Sequence, residues 1–413
     1  MSKTLIHNGT LIDGNGGAPL ANGAVLIDDE RIIAVGALDS LDVPDDVTKI
    51  DAGGGTILPG LIDAHVHLMF EVSDMQAAQN RPFSYAFFNA TTYLKATINA
   101  GITSVRDAGG ADAGLKQAVN DKLILGPRMQ ISITPLGITG GHTDGWLPSG
   151  GTRKIFQAYP GSPDGICDGV PEVRKKVREV LRAGADVIKV CSTGGVLSPT
   201  DHPEFTQFSL DELKVMVEEG NFRRGVKVMS HAQGTEGIKN AIIAGIHSIE
   251  HGIYLDDEVI DLMLEKGTYL VPTLLAPVAV VEIGEATGLM PEYGLRKAKE
   301  SIDAHKESIA KAYQAGVKIA MGTDAGVMPH GTNLRELGLM AEIGMTPMET
   351  LVATTKTAAE CMGWADKVGT LEAGKLADIT ITKTDPLTDL KSLEDNDNIT
   401  LVIKGGEVLK DIR

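Results

Sequence analysis

Apolar and polar residues follow a block pattern along most of this chain. Stretches with apolar residues every three or four positions, typical of amphipathic helices, end in glycine, and a short continuous run rich in valine and isoleucine follows each one. The glycines at these junctions are Gly101, Gly126, Gly184, Gly225, Gly245, Gly267 and Gly316. A glycine just past a helix can adopt the left-handed backbone conformation that closes the last turn. The continuous apolar runs predict parallel strands that are buried on both faces.

An eighth apolar run, residues 56–65, precedes the first of these junctions. Amphipathic stretches lie between the runs, for example over Pro171–Arg182, Leu210–Arg223 and Asp256–Lys266. Eight strands that alternate with helices over residues 57–362 predict an α/β fold of the (β/α)8 TIM barrel type, which needs about 250 residues. An open doubly wound sheet is the alternative, and it is disfavoured because no Gly-X-Gly-X-X-Gly sequence opens a first helix.

Both ends of the chain depart from this pattern. Residues 1–56 and 363–413 contain short strand-like pieces broken by glycine and aspartate turns. These pieces are Thr4–His7, Ala24–Asp28, Arg31–Val35, Asp378–Lys383, Ile399–Ile403 and Glu407–Lys410. Isolated hairpins are marginally stable, so we expect the two ends to form one composite β-sandwich domain beside the barrel. The glycine- and proline-rich stretch Thr134–Pro171 predicts a long loop of the kind that usually carries function.

Composition narrows the class of protein. Hydrophobic residues make up 43% and charged residues 23%, as in ordinary globular proteins. The 55 acidic residues outnumber the 38 basic ones, and a net charge of −17 disfavours a nucleic-acid partner. Three cysteines without a Cys-X-X-Cys pair exclude a disulfide framework and a thiolate zinc cluster. No apolar run is long enough to span a membrane and the N-terminus lacks a signal-peptide core, so we expect a soluble cytoplasmic protein.

Polar residues recur where the predicted strands end. They are His65, His67, Lys189, His231, His251 and Asp324. The carboxyl ends of barrel strands meet at the mouth of the barrel, so these side chains are expected to converge. Each has a structural alternative: the histidines as core residues, Lys189 reaching solvent along its alkyl stem, and Asp324 capping the next helix. The occurrence of all six at strand ends favours a metal site instead.

Imidazole and carboxylate ligands without thiolates favour zinc, with manganese, cobalt or iron as alternatives. Four histidines and one aspartate exceed the three protein ligands that one catalytic zinc uses. The number of ligands therefore predicts two divalent metal ions that share a bridging hydroxide. An ammonium group at Lys189 beside two dications would be strongly repelled, so this lysine is expected to be neutral or chemically altered.

These residues resemble the amidohydrolase superfamily, and the resemblance covers the whole chain. It is carried by residues 58–67 (LPGLIDAHVH), 250–252 (EHG), 322–324 (GTD) and 369–378 (GTLEAGKLAD). Residues 139–142 and 192–199 are most similar to the binuclear metal-dependent prolidases and Xaa-Arg/Lys dipeptidases, with ochratoxinase-like amidases and imidazolonepropionases as near relatives. Met229 and Ser230 depart from the alanine-rich sequence expected before the strand histidine, which puts the shape of the pocket in doubt.

The resemblance implies a role for each ligand. His65 and His67 would bind the more buried metal together with Asp324, His231 and His251 would bind the more exposed metal, and a carboxylated Lys189 would bridge both. Asp324 would also act as the general base and then the general acid. We expect His142, in the long loop, to bind substrate or stabilise an oxyanion, with a surface-loop histidine as the alternative. Tyr254 is expected to hold a substrate carboxylate, with simple packing as the alternative.

The predicted function is hydrolysis of an amide or peptide bond in a small substrate, either a dipeptide such as Xaa-Pro or an N-acyl amino acid. The alternatives are an aryl amide such as ochratoxin, a cyclic amide or imidazolone, and a non-catalytic role in assembly. Lys189 argues against the imidazolone alternative, because imidazolonepropionases resemble mononuclear enzymes without a bridging lysine. Relatives of this kind commonly assemble, so a homo-oligomer is expected.

Overall fold

A computed structural model describes residues 3–72, 77, 80–147 and 149–413. The strands are β1 Thr4–Leu11, β2 Leu20–Asp28, β3 Arg31–Ala37, β4 Thr48–Asp51, β5 Thr56–Pro59, β6 Leu61–Val66, β7 Ile102–Asp107, β8 Arg128–Ile131, β9 Ile188–Cys191, β10 Val228–Ala232, β11 Ser248–His251, β12 Tyr269–Val271, β13 Ile379–Thr382, β14 Ile399–Lys404 and β15 Glu407–Asp411. The helices are α1 Tyr85–Asn99, α2 Ala113–Asn120, α3 Gly169–Arg182, α4 Leu210–Phe222, α5 Thr235–Ala244, α6 Asp257–Lys266, α7 Leu275–Thr287, α8 Glu292–Ala315, α9 Arg335–Glu342, α10 Pro347–Val352 and α11 Ala358–Cys361. Residues 1 and 2 of the predicted β-domain and residue 148 of the predicted loop lie outside the described residues.

Strands from both ends of the chain share one eight-stranded sheet. Its order is β15-β14-β13-β5-β1-β2-β3, and β4 pairs in parallel with β1. The two ends meet where β13 runs antiparallel to β5, with Ile379 opposite Pro59 and Ile381 opposite Ile57. These isoleucines belong to a buried apolar cluster with Ile6 and Leu401. The pairing between the ends is therefore supported by hydrogen bonds and by burial, whereas the exact domain boundaries remain a prediction.

The middle of the chain alternates parallel strands with helices. Strands β6, β7 and β8 form one parallel sheet, and β9 to β12 form another in chain order. Every residue of β9, β10 and β11 is buried, as expected for strands covered on both faces. The three helices named from the sequence begin and end within two residues of the predicted bounds. No helix among the described residues is long and apolar enough to cross a bilayer.

The run after Gly316 differs from its prediction. It was expected to form a continuous strand, but it forms only isolated parallel bridges to the strands on either side. Ile319 pairs with Leu270 of β12, and Ala325 pairs with Val66 of β6. The backbone leaves the extended conformation at Asp324, where φ is 64°, so the pairing cannot continue as a regular strand.

Six of the seven junction glycines adopt positive φ, as the helix-ending pattern predicts, and Gly126 is the exception. Pro127 follows it, and a residue before proline is restricted to extended conformations. Helix α2 has already ended at Asn120, and Lys122 takes the left-handed conformation instead, with φ of 59°. Gly126 therefore begins the extended lead into β8.

Gly60 joins the terminal sheet to the first parallel strand. Its backbone N–H donates to the carbonyl oxygen of Asp378 at 2.8 Å. A Cβ at this position would collide with the side chain of Thr103, so no other residue fits without rearrangement. The glycine thereby lets the chain pass directly from β5 to β6, which carries His65 near its end and His67 immediately after it.

Candidate metal centre

The ends of the parallel strands surround one cavity. All six predicted ligands and the predicted substrate residue of the long loop line it: His65, His67, His142, Lys189, His231, His251 and Asp324. They come from β6, β9, β10, β11, the loop after β8 and the segment after Gly316. The convergence expected from their position at strand ends is therefore present in the structure.

The potential ligand atoms lie close to one another. His67 Nε2 is 3.2 Å from Asp324 Oδ1, and His65 Nε2 is 3.5 Å from the same oxygen. The Nζ atom of Lys189 is 3.3 Å from His65 Nε2. One ligand atom each from His65, His251 and Asp324 lie within 4.8 Å of one another, a spacing at which a single cation could contact all three.

Each of the four imidazoles uses one ring nitrogen in a hydrogen bond to the surrounding protein. The pairs are His65 Nδ1 with Glu250 Oε2 at 2.7 Å, His67 Nδ1 with the Gly109 carbonyl at 2.9 Å, His251 Nδ1 with Thr273 Oγ1 at 2.7 Å, and His231 Nε2 with the Gly194 carbonyl at 3.0 Å. Such bonds fix the orientation and the tautomer of a ligating histidine and leave its other nitrogen available to a metal.

The electrostatics of these groups also fit a divalent cation. Burial lowers the pKa of His65, His231 and His251 well below the ordinary value, so the rings are neutral and keep a free lone pair. Burial raises the pKa of Asp324, but the hydrogen bond from His67 and the electrostatic interactions with His65, His67 and Lys189 outweigh it, and the net effect is a lowered pKa. Neutral imidazole and ionised carboxylate are the forms that bind metals, so the donor set fits.

Lys189 lies inside the same cluster and is only 3% exposed. Burial lowers the pKa of its amine, because the charged form loses its hydration. A neutral amine is therefore favoured at this position, in agreement with the expectation that an ammonium group would not be tolerated beside metal ions.

A buried ion pair next to the proposed metal centre was not predicted from the sequence. Glu250 of β11 accepts hydrogen bonds from His65, from Arg106 Nη2 at 2.9 Å and from Ser248 Oγ at 2.6 Å. Arg106 of β7 is 1% exposed and also donates from Nε to the carbonyl of Ala64 at 2.7 Å. The signal was present in the sequence, because an arginine and a glutamate inside buried strands need charged partners.

His142 packs over the centre. Its ring stacks on that of His231, with centroids 4.3 Å apart and planes 20° from parallel. His142 Nδ1 lies 2.8 Å from Ser198 Oγ, and the Ser198 hydroxyl in turn donates to a carboxylate oxygen of Asp201. The Ser198 oxygen therefore accepts the proton of Nδ1, which leaves Nε2 as an acceptor in the neutral ring. Burial lowers the pKa of His142 and favours that neutral form.

A buried lysine from α8 holds the loop that supports His142. Lys297 Nζ donates to the carbonyl oxygens of Gly195, Ser198 and Asp201 at 2.9, 2.8 and 2.6 Å. It is 4% exposed, and three acceptors on one turn of chain fix that turn against the helix. A Cβ at Gly195 would collide with the ring of His142, so the loop also leaves room for the imidazole.

Tyr254 is not among the described residues that line the cavity. Its N–H donates to the Gln233 carbonyl at 2.9 Å, and its carbonyl accepts from Thr235 Oγ1 at 2.7 Å, which holds it beside the start of α5. The structure does not place Tyr254 in this cavity wall, and its role in holding a substrate carboxylate stays a prediction. Arg153 and Gln233, which the sequence reasoning did not select, line the cavity instead.

Apolar side chains make up most of the remaining wall, among them Phe70, Leu147, Phe156, Ile253 and Val280. The rings of Phe70 and Phe156 pack edge to face, with centroids 5.7 Å apart, and both contact the ring of His67. An apolar cavity with a cluster of metal-ligating groups can hold a small organic molecule against a metal centre.

The chain is similar to known proteins along most of its length. Residues 56–409 match the model of the amidohydrolase family. The chain is 38% identical to ochratoxinase from Aspergillus niger, over 98% of this chain and 86% of that protein. It is 26% identical to imidazolonepropionase from Brevibacillus brevis, over 94% and 90% of the two chains. A crystal structure of a Xaa-Pro dipeptidase with methionine bound in the active site superposes with a TM-score of 0.90 and 37% identity, covering 99% of this chain and all of that one.

Proposed function

The chain belongs to the amidohydrolase family and is a hydrolase of amide C–N bonds, and we propose that it cleaves a dipeptide such as Xaa-Pro or an N-acyl amino acid with two divalent metal ions. The observation that carries the proposal is the convergence of four imidazoles, a carboxylate and a buried lysine on one cavity. The similarity to a Xaa-Pro dipeptidase and to ochratoxinase supports a small amide as the substrate.

The ligands divide between two metal positions. In our proposal His65, His67 and Asp324 hold the more buried ion, and His231 with His251 holds the more exposed one. Zinc is the preferred identity, because the donors are imidazole and carboxylate. When bound, the two ions supply an activated water molecule and polarise the scissile carbonyl group.

We propose that Lys189 bridges the two ions as a carbamate. The neutral amine favoured by its burial adds to the carbon of CO2, an N–C bond forms, and one proton is released. The product is an anion with two oxygen atoms in place of a cationic nitrogen. This change would supply a ligand to each ion and remove the charge conflict.

Asp324 is proposed as the proton carrier. Its lowered pKa keeps it ionised near neutral pH, so it can accept a proton from the water that adds to the carbonyl carbon. It then donates that proton to the nitrogen as the C–N bond breaks. Water thereby supplies the oxygen of the new carboxylic acid and the hydrogen of the leaving amine.

We assign His142 to substrate contact. With the ring proton on Nδ1, Nε2 can accept a hydrogen bond from the substrate, whereas stabilising an oxyanion would require a proton on Nε2. Its stacking on His231 and its support by Ser198 hold it beside the proposed second metal position.

Three isolated parallel bridges support a closed arrangement of strands. They join the residues after β8 to β9, β12 to the segment after Gly316, and that segment back to β6. We propose that these pairings close the parallel strands into a (β/α)8 barrel, with the terminal sheet as a separate composite β-domain.

An aryl amide such as ochratoxin is a second candidate substrate. The edge-to-face pair of Phe70 and Phe156 on the cavity wall favours an aromatic group on the substrate.

The proposal is tested on purified protein loaded with zinc in the presence of bicarbonate. We expect about two metal ions per chain, and release of free amine from one class in a panel of Xaa-Pro, Xaa-Arg and Xaa-Phe dipeptides, N-acyl amino acids and aryl amides. A chain that binds one ion and opens cyclic amides, or a fully loaded chain that cleaves none of these substrates, would contradict it. Protein without added metal is the control.

A further inference from the structure

The cavity has an uneven distribution of charge. Besides the histidines, the charged side chains among its described lining residues are Lys189, Asp324 and Arg153. Lys189 and Asp324 belong to the proposed metal centre. Arg153 is therefore the one fixed charge available to a substrate in the described part of the wall.

The backbone holds Arg153 in place. The Arg153 N–H donates to the carbonyl of Gly145 at 2.6 Å, and an antiparallel bridge joins Trp146 to Thr152. The guanidinium Nη2 lies 3.3 Å from Tyr293 Oη on α8, and no carboxylate of the described residues lies within 4.0 Å of it. A guanidinium paired only with a phenol retains donors that match a carboxylate in geometry and charge.

A substrate ammonium group finds no comparable partner. Asp324, the one carboxylate in the described lining, is already within 3.5 Å of His65 and His67. Gln233 offers a side-chain oxygen that is buried and has no hydrogen-bond partner in the described structure. That oxygen can accept a hydrogen bond, but it carries no charge to balance a cation, and an unbalanced charge in an apolar cavity is costly.

We infer that the natural substrate is an N-acyl amino acid whose free carboxylate pairs with Arg153, and not a dipeptide with a free α-ammonium group. The inference rests on the proposed amide hydrolysis and selects between its two substrate classes.

A matched pair of substrates tests the inference. N-propionyl-L-leucine and L-alanyl-L-leucine differ only in the α-ammonium group, and both carry the carboxylate. We expect the metal-loaded enzyme to cleave N-propionyl-L-leucine with a kcat/KM at least 10-fold higher. N-propionyl-L-leucinamide, which lacks the carboxylate, should lose at least 10-fold relative to the acid, followed as release of propionate.

Arg153 and its neighbour in the sequence, Lys154, provide the test variant and its control. Arg153→Gln should raise KM for N-propionyl-L-leucine at least 10-fold and leave cleavage of the leucinamide unchanged, whereas Arg153→Lys should recover part of the loss. Lys154 is paired with Asp164 at 2.5 Å and does not line this cavity, so Lys154→Gln should behave as the parent enzyme.

The outcomes distinguish a failure of this inference from a failure of the proposed function. Equal cleavage of the matched pair, a preference for L-alanyl-L-leucine, or equal effects of Arg153→Gln and Lys154→Gln would overturn the inference and leave the amide hydrolase intact. If the fully loaded enzyme cleaves neither substrate nor any other amide in the panel, the proposed function fails and the inference fails with it.

Discussion

Replacing Glu250 by glutamine tests whether the buried ion pair supports the metal centre. Glu250 is fully buried and receives three donors, from His65, Arg106 and Ser248. Burial raises the pKa of Glu250, and the charge of Arg106 opposes this shift. The three donors that face its two oxygens fit the carboxylate form. Glutamine has nearly the same shape, but it is neutral and presents an NH2 group where one carboxylate oxygen stood.

Glu250→Gln is expected to lower both the unfolding free energy and the metal affinity. The guanidinium of Arg106 is 1% exposed, so it would remain buried without its counter-ion, and breaking a buried pair in this way costs about 3–5 kcal/mol of unfolding free energy. The glutamine NH2 would also face either the N–H of His65 or the N–H of Arg106, which weakens the orientation of His65. Loss of such an outer partner typically lowers metal affinity by about 10–100-fold.

The chain contains a suitable control. Glu219 is also a buried glutamate paired with arginines, contacting Arg174 at 2.5 Å and Arg178 at 2.8 Å, but it bridges α3 and α4 away from the cavity. Glu219→Gln should lower stability without changing metal affinity. Urea denaturation of the metal-free proteins gives the first quantity, and competition with a chelator gives the second. If Glu250→Gln binds zinc as tightly as the parent chain, or if Glu219→Gln weakens binding equally, the assigned role of Glu250 is wrong.

Three further outcomes are expected. Asp324→Asn should fold but lose at least about 100-fold in kcat on the metal-loaded enzyme, since it removes the proton carrier; near-normal steady-state turnover would contradict this. Gly195→Ala should push the ring of His142 from its place, so kcat/KM should fall while the metal content measured by elemental analysis stays the same. Burial lowers the pKa of His247 from 6.5 to about 4, so its neutral ring stabilises the fold above pH 6.5 and this contribution is lost as the pH falls toward 4. The loss is on the order of 3 kcal/mol of unfolding free energy. Urea denaturation at pH 7 and pH 4 should therefore find a smaller decrease in unfolding free energy for His247→Asn than for the parent chain. An equal decrease in both proteins would exclude this ring as the source.

The ligand positions could be predicted because they depend on local sequence. A glycine ends each helix, a short buried strand follows, and the polar residue at the end of that strand lies at the edge where parallel strands meet. His231 and His251 lie at or next to the ends of β10 and β11, whereas Lys189 is the second residue of β9, and the structure brings all three to one cavity. Regular spacing along the chain was enough to find them.

The substrate side of the cavity could not be predicted in the same way. The loop that supports His142 is fixed by Lys297, which lies about 100 residues later in the chain. Arg153 lines the cavity from a segment whose backbone is bonded to Gly145, and the backbone of Tyr254 is held by Gln233 and Thr235. These positions depend on tertiary contacts, which leave no periodic signal in the sequence.

The backbone at two ligands runs against its local preference. His251 and Asp324 have φ values of 74° and 64°, a region that glycine occupies freely and other residues occupy at a cost of about 1–2 kcal/mol. Asp324 is held there by its N–H, which donates to the His65 carbonyl at 2.7 Å, and by Thr323, whose hydroxyl donates to Asp63 at 2.6 Å. Glycine would relieve the strain but would remove the ligand atom. The sequence therefore retains strained side chains, the proposed metal ligands, at positions where backbone stability alone would favour glycine, whereas glycine occupies the positive-φ positions at six of the seven helix-ending junctions.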